Sequence, residues 1–305
     1  MKGFIVKNGG LQSSIQDAGR VGVNDIGLTQ SGAMDERCFG YANLLVGNPF
    51  NTPTIEIALG GLVLEVKGSC SIAITGADMA PTCNGKALAM WETHTLSEGD
   101  ILAFGFASSG HFTYVSVAGG WQTPLRYGSF STSIKEGLGG IEGRKLIKDD
   151  TIYTSGCILG EKRRLQKQYI PDFPQSITLR VVKGYQETLF DAKAQETFFT
   201  CTYTYKGEGD RMGYRLSGEK VIPSVSGILS EAITYGAIQV PSHGEPIVLL
   251  KERQTIGGYP KIGSVIGVDC FKLAQLQAGG EVRFEAISLE KARAKAQAFY
   301  TWATF

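Results

Sequence analysis

The stretch Gly209-Asp210-Arg211-Met212-Gly213-Tyr214-Arg215 sets two guanidinium groups beside a carboxylate. In an extended segment Arg211 and Arg215 share one face, a fork suited to a carboxylate or a phosphoryl group, and Asp210 can orient one of them or act as a base. A structural ion pair is the equally available alternative. A second cluster follows the apolar run Ile247-Val248-Leu249-Leu250, which leads into Lys251-Glu252-Arg253-Gln254, the turn Gly257-Gly258-Tyr259-Pro260 and then Lys261. A buried strand that delivers charged and amide side chains to a tight glycine turn presents a polar site on a rigid support. Tyr259 can stack on or hydrogen-bond a small planar substrate, or pack the turn.

Near the amino terminus, Gln16, Asp17 and Arg20 place an amide, a carboxylate and a guanidinium close together. An Asx turn with an exposed arginine explains them as well as a site does. Ser31-Gly32-Ala33-Met34-Asp35 enters a helix whose first N–H groups can hold an anion, unless Ser31 or Asp35 satisfies them. Other chemistries lack their motifs. No GxxxxGK[ST], GxSxG or HExxH occurs, the glycines at 137–140 and 207–209 lack the phosphate-loop spacing and lysine, and His94, His111 and His243 have no partner at ligand spacing. No metal is expected.

The elements that must position these residues are mostly strands. Forty glycines fall between short apolar runs such as Leu62–Leu64, Ile72–Ile74, Ile101–Phe104 and Tyr114–Val117. Asn84-Gly85 is a hairpin signal, and Ser97-Glu98-Gly99-Asp100 a second turn. Helices are predicted over 33–46, stopped by Asn48-Pro49; from a Ser288 cap through Leu289, Ala292, Ala296 and Phe299; and, shorter, over 189–196 and 271–277. The basic, proline-containing stretch 161–176 interrupts the β pattern, so the boundary falls there: an N-terminal β domain over 1–165, a linker at about 166–176 and a C-terminal β domain over 177–305. Lys162-Arg163-Arg164 reads as a solvated linker or an anion contact.

At 305 residues the chain can bury a substantial core, and a net charge of +1 gives no field to draw in nucleic acid or an anionic membrane. Six scattered cysteines without a CxxC pair read as reduced thiols of a cytoplasmic protein. The first residues are far short of a signal-peptide core, and no stretch approaches the length of a membrane-spanning helix.

IQDAGRVG at 15–22, SGAMD at 31–35, ANLLVGNP at 42–49, ITGAD at 74–78, VAGG at 117–120, GLGGIEGRKL at 137–146, DRMGYRL at 210–216, SEA at 230–232 and GAIQVP through QTIGGYPKIG at 236–263 together resemble the C subunit of 5-oxoprolinase. That family is also called allophanate hydrolase subunit 2 or the Kip antagonist, and is related to the carboxyltransferase region of urea amidolyase. The resemblance runs in order from about residue 3 to about residue 295. Ala232 stands where the family usually reads Gly, and Ile256 where it reads Thr.

The resemblance implies a mainly β fold of two cyclophilin-like barrels with a few short helices. It implies a standing partner, the Kip-inhibitor-like B subunit of 5-oxoprolinase, and with the A subunit an ATP-dependent complex that opens 5-oxoproline to glutamate, this chain being inactive alone. Relatives also act as biotin-dependent carboxyltransferases on urea or a similar amide, or as non-catalytic antagonists of a kinase-inhibitor protein. ATP then belongs to the complex, and with no AMKM-like motif this chain carries no covalent biotin. For lactam hydrolysis the resemblance casts Arg211, Arg215, Lys251 and Lys261 as clamps, Asp210 or Asp17 as base, and Gln254 as the lactam's holder, with Tyr259, Gln16 and Arg20 at the substrate. These clusters are read as walls of one shared cleft, at or beside an interface with the B subunit.

Overall fold

The computed structural model describes residues 2–303; Met1 of the N-terminal segment and residues 304–305 of the expected second domain lie outside it. The chain divides into two compact units, one holding residues 2–21 and 31–173, the other residues 22–30 and 174–302.

Among the described residues the first unit has two sheets. Seven strands form one, with Gly3–Gly9 and Leu62–Lys67 antiparallel near its middle; the five-stranded other is built around Ser109–Val117 and Cys70–Asp78. Strict alternation along Leu62–Lys67 turns Leu62, Leu64 and Val66 inward, while Cys70–Asp78 is buried almost throughout. Phe4, Ile15, Ile55, Leu64, Ile74, Leu102, Val115 and Trp121, drawn from both sheets, share one core. Asn84 (φ 51°) and Gly85 (φ 77°) form the expected tight hairpin between Thr82–Cys83 and Lys86–Ala87.

Only one of the two barrels expected from the resemblance is seen. Among the described residues the first unit's ladders stay separate, running out in two-residue strands at Trp121–Gln122 and Lys86–Ala87 beside glycine turns. The second unit does close: Ser176–Lys183, Lys261–Val265, Ala237–Gln239, Ile247–Leu249, Gly213–Ser217, Tyr203–Gly209 and Glu281–Ala286 follow one another around a seven-stranded barrel. Ser176–Lys183 and Glu281–Ala286 seal it in parallel. Ile177, Leu179 and Val181 alternate inward, and Tyr205 stacks on Tyr214 with centroids 4.3 Å apart.

Among the described residues four α-helices accompany the strands. The first spans Glu36–Leu45, starting later than its apolar pattern because Ser31 and Gly32 take positive φ and the Asp35 carboxylate caps the N–H groups of Arg37 and Cys38. The last spans Leu289–Ala303, with Ser288 Oγ accepting from Lys291 N at 3.3 Å. The two middle helices lie at Ala192–Thr200, where Asp191 caps, and at Gly267–Ala274, each offset by a few residues from the predicted segment. No described helix is long and apolar enough to cross a membrane. All six cysteines are free thiols.

Candidate functional site

Gln16, Asp17 and Arg20 belong to the first unit, where they fasten the loop around residues 129–133. The buried Asp17 carboxylate accepts from Ser129 Oγ (2.6 Å), Ser131 Oγ (2.5 Å), Phe130 N (2.7 Å) and Gly19 N (2.8 Å). Gln16 donates to Ser14 Oγ and Thr132 O and accepts from Gly32 N. Arg20 is 1% exposed, against the expectation of an exposed arginine, and donates to Ser131 O at 2.6 Å. A carboxylate sealed from solvent behind four donors is placed to hold a loop, not to reach a water. The anion site considered at the first helix is likewise filled by protein: Asp35 caps it, Met34 N donates to Glu56 and Asp35 N to Tyr114 Oη.

The other seven candidates lie in the second unit. Asp210, Arg211 and Met212 form the turn between two barrel strands, so the extended geometry that would place Arg211 and Arg215 on one face starts only at Gly213. Asp210 accepts from Met212 N at 2.7 Å, an Asx turn. Arg211 is buried and donates through Nε to Glu252 Oε1 at 2.6 Å, while Arg215 lies in a surface network with Glu208, Glu245 and His243. The fork expected from the sequence is therefore two separate arginines, each with its own carboxylates.

Past the strand Ile247–Leu249 the polar cluster folds inward. Lys251 is buried with Nζ 4.8 Å from the centroid of the Tyr235 ring, and the Arg253 guanidinium lies 5.8 Å from the same centroid. Arg253 also donates to the carbonyls of Ile233 and Leu250 and to Gln30 Oε1, and burial pushes its pKa down from the usual arginine value.

A cleft of about 390 Å³ opens where the chain turns through residues 254–259, and Gln239, Gln254, Gly257 and Tyr259 line it. The strand Ile256–Gly257 pairs with Glu231–Ala232, so Glu231 faces Gly257 and Ala232 faces Ile256. The two departures from the family pattern are thus cross-strand partners. Beside the cleft Lys261 Nζ lies 2.5 Å from Glu231 Oε1, which also accepts from Gln186 Nε2 at 2.8 Å, while Tyr185 Oη donates to the other carboxylate oxygen. Gln186 Oε1 in turn accepts from Lys261 N. The Lys261 and Tyr185 hydrogen bonds hold the Glu231 carboxyl below its usual range, and the same bond to Glu231 raises the Tyr185 phenol.

Of the sequence candidates, the structure brings Gln254 and Tyr259 to the cleft, with Lys261 on the neighbouring network. Tyr185, Gln186 and Gln239 were not singled out from sequence. A lone glutamine in the apolar run Ala237-Ile238-Gln239-Val240 is the signal that could have found the last of them. No group of described His, Cys, Asp or Glu residues is arranged to hold a metal ion.

The second unit is thus a closed β-barrel that bears an uncharged, hydrogen-bonding cleft beside a charged network. Residues 26–286 match the carboxyltransferase domain, subdomain A and B, and the chain belongs to that family. It is 34% identical over 283 residues to the 5-oxoprolinase C subunit of Haemophilus influenzae, across 92% of this chain and 90% of that protein. The corresponding protein of Escherichia coli, also a 5-oxoprolinase C subunit, is 34% identical over 286 residues, across 93% and 91%. The crystal structure of K. lactis urea amidolyase superposes with a TM-score of 0.92 at 27% identity over 99% of this chain, which spans 20% of that longer one.

Proposed function

We propose that this chain is the C subunit of an ATP-dependent 5-oxoprolinase, acting in the cytoplasm with the A and B subunits to hydrolyse 5-oxoproline to glutamate, and inactive alone. Its near end-to-end likeness to two 5-oxoprolinase C subunits supports the reading. The observation that carries it is the lining of the cleft: carboxamides from Gln239 and Gln254, the Tyr259 phenol and glycine backbone, with no charged side chain. Such a lining suits the uncharged amide ring of 5-oxoproline, whose hydrogen bonds to water it replaces, while the ring's carboxylate stays toward solvent at the open mouth of the cleft.

Ring opening adds water to the lactam carbonyl, breaks the C–N bond and returns a proton to the departing amine. In this chain Gln254 and Tyr259 orient the ring, and the Lys261–Glu231 pair supplies a charged wall beside it. The four cations suggested as phosphate clamps are engaged within the chain: Arg211 by Glu252, Lys261 by Glu231, Arg215 by Glu208 and Glu245, while Lys251 is buried against the Tyr235 ring. These residues do not fit a nucleotide, so on this reading ATP is bound by a partner chain.

Mixing the purified A, B and C subunits with 5-oxoproline and ATP, and omitting each in turn, tests the reading. Glutamate release that requires this chain supports it; undiminished release without the chain removes it. A carboxyltransferase acting on urea is the second reading, favoured by the close superposition on urea amidolyase. ATP turnover driven by urea and a biotinylated partner, and indifferent to 5-oxoproline, would select it.

A further inference from the structure

Gln239 is 4% exposed, yet among the described residues its carboxamide makes no hydrogen bond to protein; it lines the cleft instead. Its stem is buried while its amide end opens on the cleft, where a ligand or water completes its hydrogen bonds. Its position is built. The barrel register slips between Ile238, opposite Gly263, and Gln239, opposite Lys261, and such a bulge re-aims the side chain that follows it. Gly257 has no Cβ where one would lie 2.7 Å from Gln239 Nε2 and 2.6 Å from Ile233 Cδ1. The glycine therefore leaves room for the carboxamide against the backbone of the cleft wall.

We infer that Gln239 reads a cis-amide edge, the N–H and C=O that a lactam or cyclic urea presents side by side. A primary carboxamide offers one donor and one acceptor at matching separation, so it closes a paired ring of two hydrogen bonds with that edge and with no charged group. An N-alkylated ring or an open carboxylate cannot complete the pair. The inference rests on the reading of this cleft as the substrate site, and names the feature of the substrate that the site selects.

The test is a binding titration of the full chain, alone and with the proteins that support turnover, using 5-oxoproline, 2-imidazolidinone and N-methyl-5-oxoproline. Wild type should bind the first two and discriminate against the N-methyl ring by about 10- to 100-fold, the worth of a lost paired contact. Gln239→Leu should weaken 5-oxoproline by a similar factor and abolish the discrimination. Gly257→Ala, which displaces the carboxamide without altering it, should move both in the same direction. Equal binding of the three rings by wild type, or no binding of any, overturns the inference, as does discrimination that survives Gln239→Leu. Turnover that needs this chain but ignores Gln239→Leu would overturn the inference and leave the proposed function. Gln239-dependent binding with turnover indifferent to the chain would do the reverse.

Discussion

Arg211 and Glu252 form a buried ion pair, Nε to Oε1 at 2.6 Å, that ties the turn at 210–212 to the one at 251–252. The Glu252 N–H also donates to Arg211 O at 2.8 Å, so side chains and backbone close the same junction. Removing one partner strands the other charge away from water. Arg211→Ala should cost about 3–5 kcal/mol in urea denaturation. The replacement of both by apolar residues of similar volume should cost much less, and a double-variant loss equal to the sum of the two single losses would refute a paired role.

The Lys261–Glu231 pair predicts a change in pH dependence. Lys261 is the largest influence holding the Glu231 carboxyl below its usual 4.5, so Lys261→Met should let that value rise. If the ionised Glu231 is needed at the cleft, the acid limb of turnover moves to higher pH, and a rate–pH profile of the complex reads the shift. Stability should fall by only about 1 kcal/mol, because Glu231 is partly exposed and keeps Gln186 and Tyr185. An unmoved acid limb would place Glu231 outside the reaction.

What the sequence made legible was local. Asn84-Gly85 shaped its hairpin and Ser288 capped its helix because each effect acts within a few residues. Asp17 and Arg211 read as reactive groups because their partners lie far along the chain: Ser129 and Ser131 for the first, Glu252 for the second. Nothing in a linear spacing announces such pairings. Closure of the barrel was expected from the family resemblance alone and not from residue spacing, since its seam joins residues 176–181 to 281–286.

The register of the cleft strands predicts coupling between Ala232 and Ile256. They face each other at an exposed cross-strand position, where pairs contribute about 0.2–1 kcal/mol. A cycle of Ala232→Gly, Ile256→Thr and the double variant should return a non-additive term of that size in thermal denaturation. Strict additivity would mean that the two positions vary independently.

Among the glycines at 137–140, packing explains Gly139 and Gly140 but not Gly137. Gly139 has φ 71°, and a Cβ there would lie 2.0 Å from Ser131 O and 2.7 Å from Arg20 Nη2. Gly139→Ala should therefore cost about 3 kcal/mol or more, combining left-handed strain with a backbone clash. Gly137, also at positive φ but with open space around its missing Cβ, should lose only about 1 kcal/mol on the same change. Comparable losses at both positions would show that conformation alone, not the approach to Ser131, requires Gly139.

Asp269 predicts how the barrel responds to acid. Burial pushes its carboxyl up, but two hydrogen bonds from the Arg180 side chain, at 2.7 and 2.6 Å, one from Arg180 N at 2.9 Å and Lys272 at 3.0 Å outweigh it and hold the value below 3.8. A depressed carboxyl contributes its stabilisation in full above the unfolded value and loses it as pH falls through the folded one. Wild-type stability should therefore decline as pH drops past 3.8, partly through this group. Asp269→Asn should cost about 3 kcal/mol at pH 7, since Arg180 loses its bidentate partner, and the gap to wild type should narrow on acidification. Urea midpoints across that range measure it, and a gap that stays constant into acid would show that the ionised carboxylate does not hold this seam.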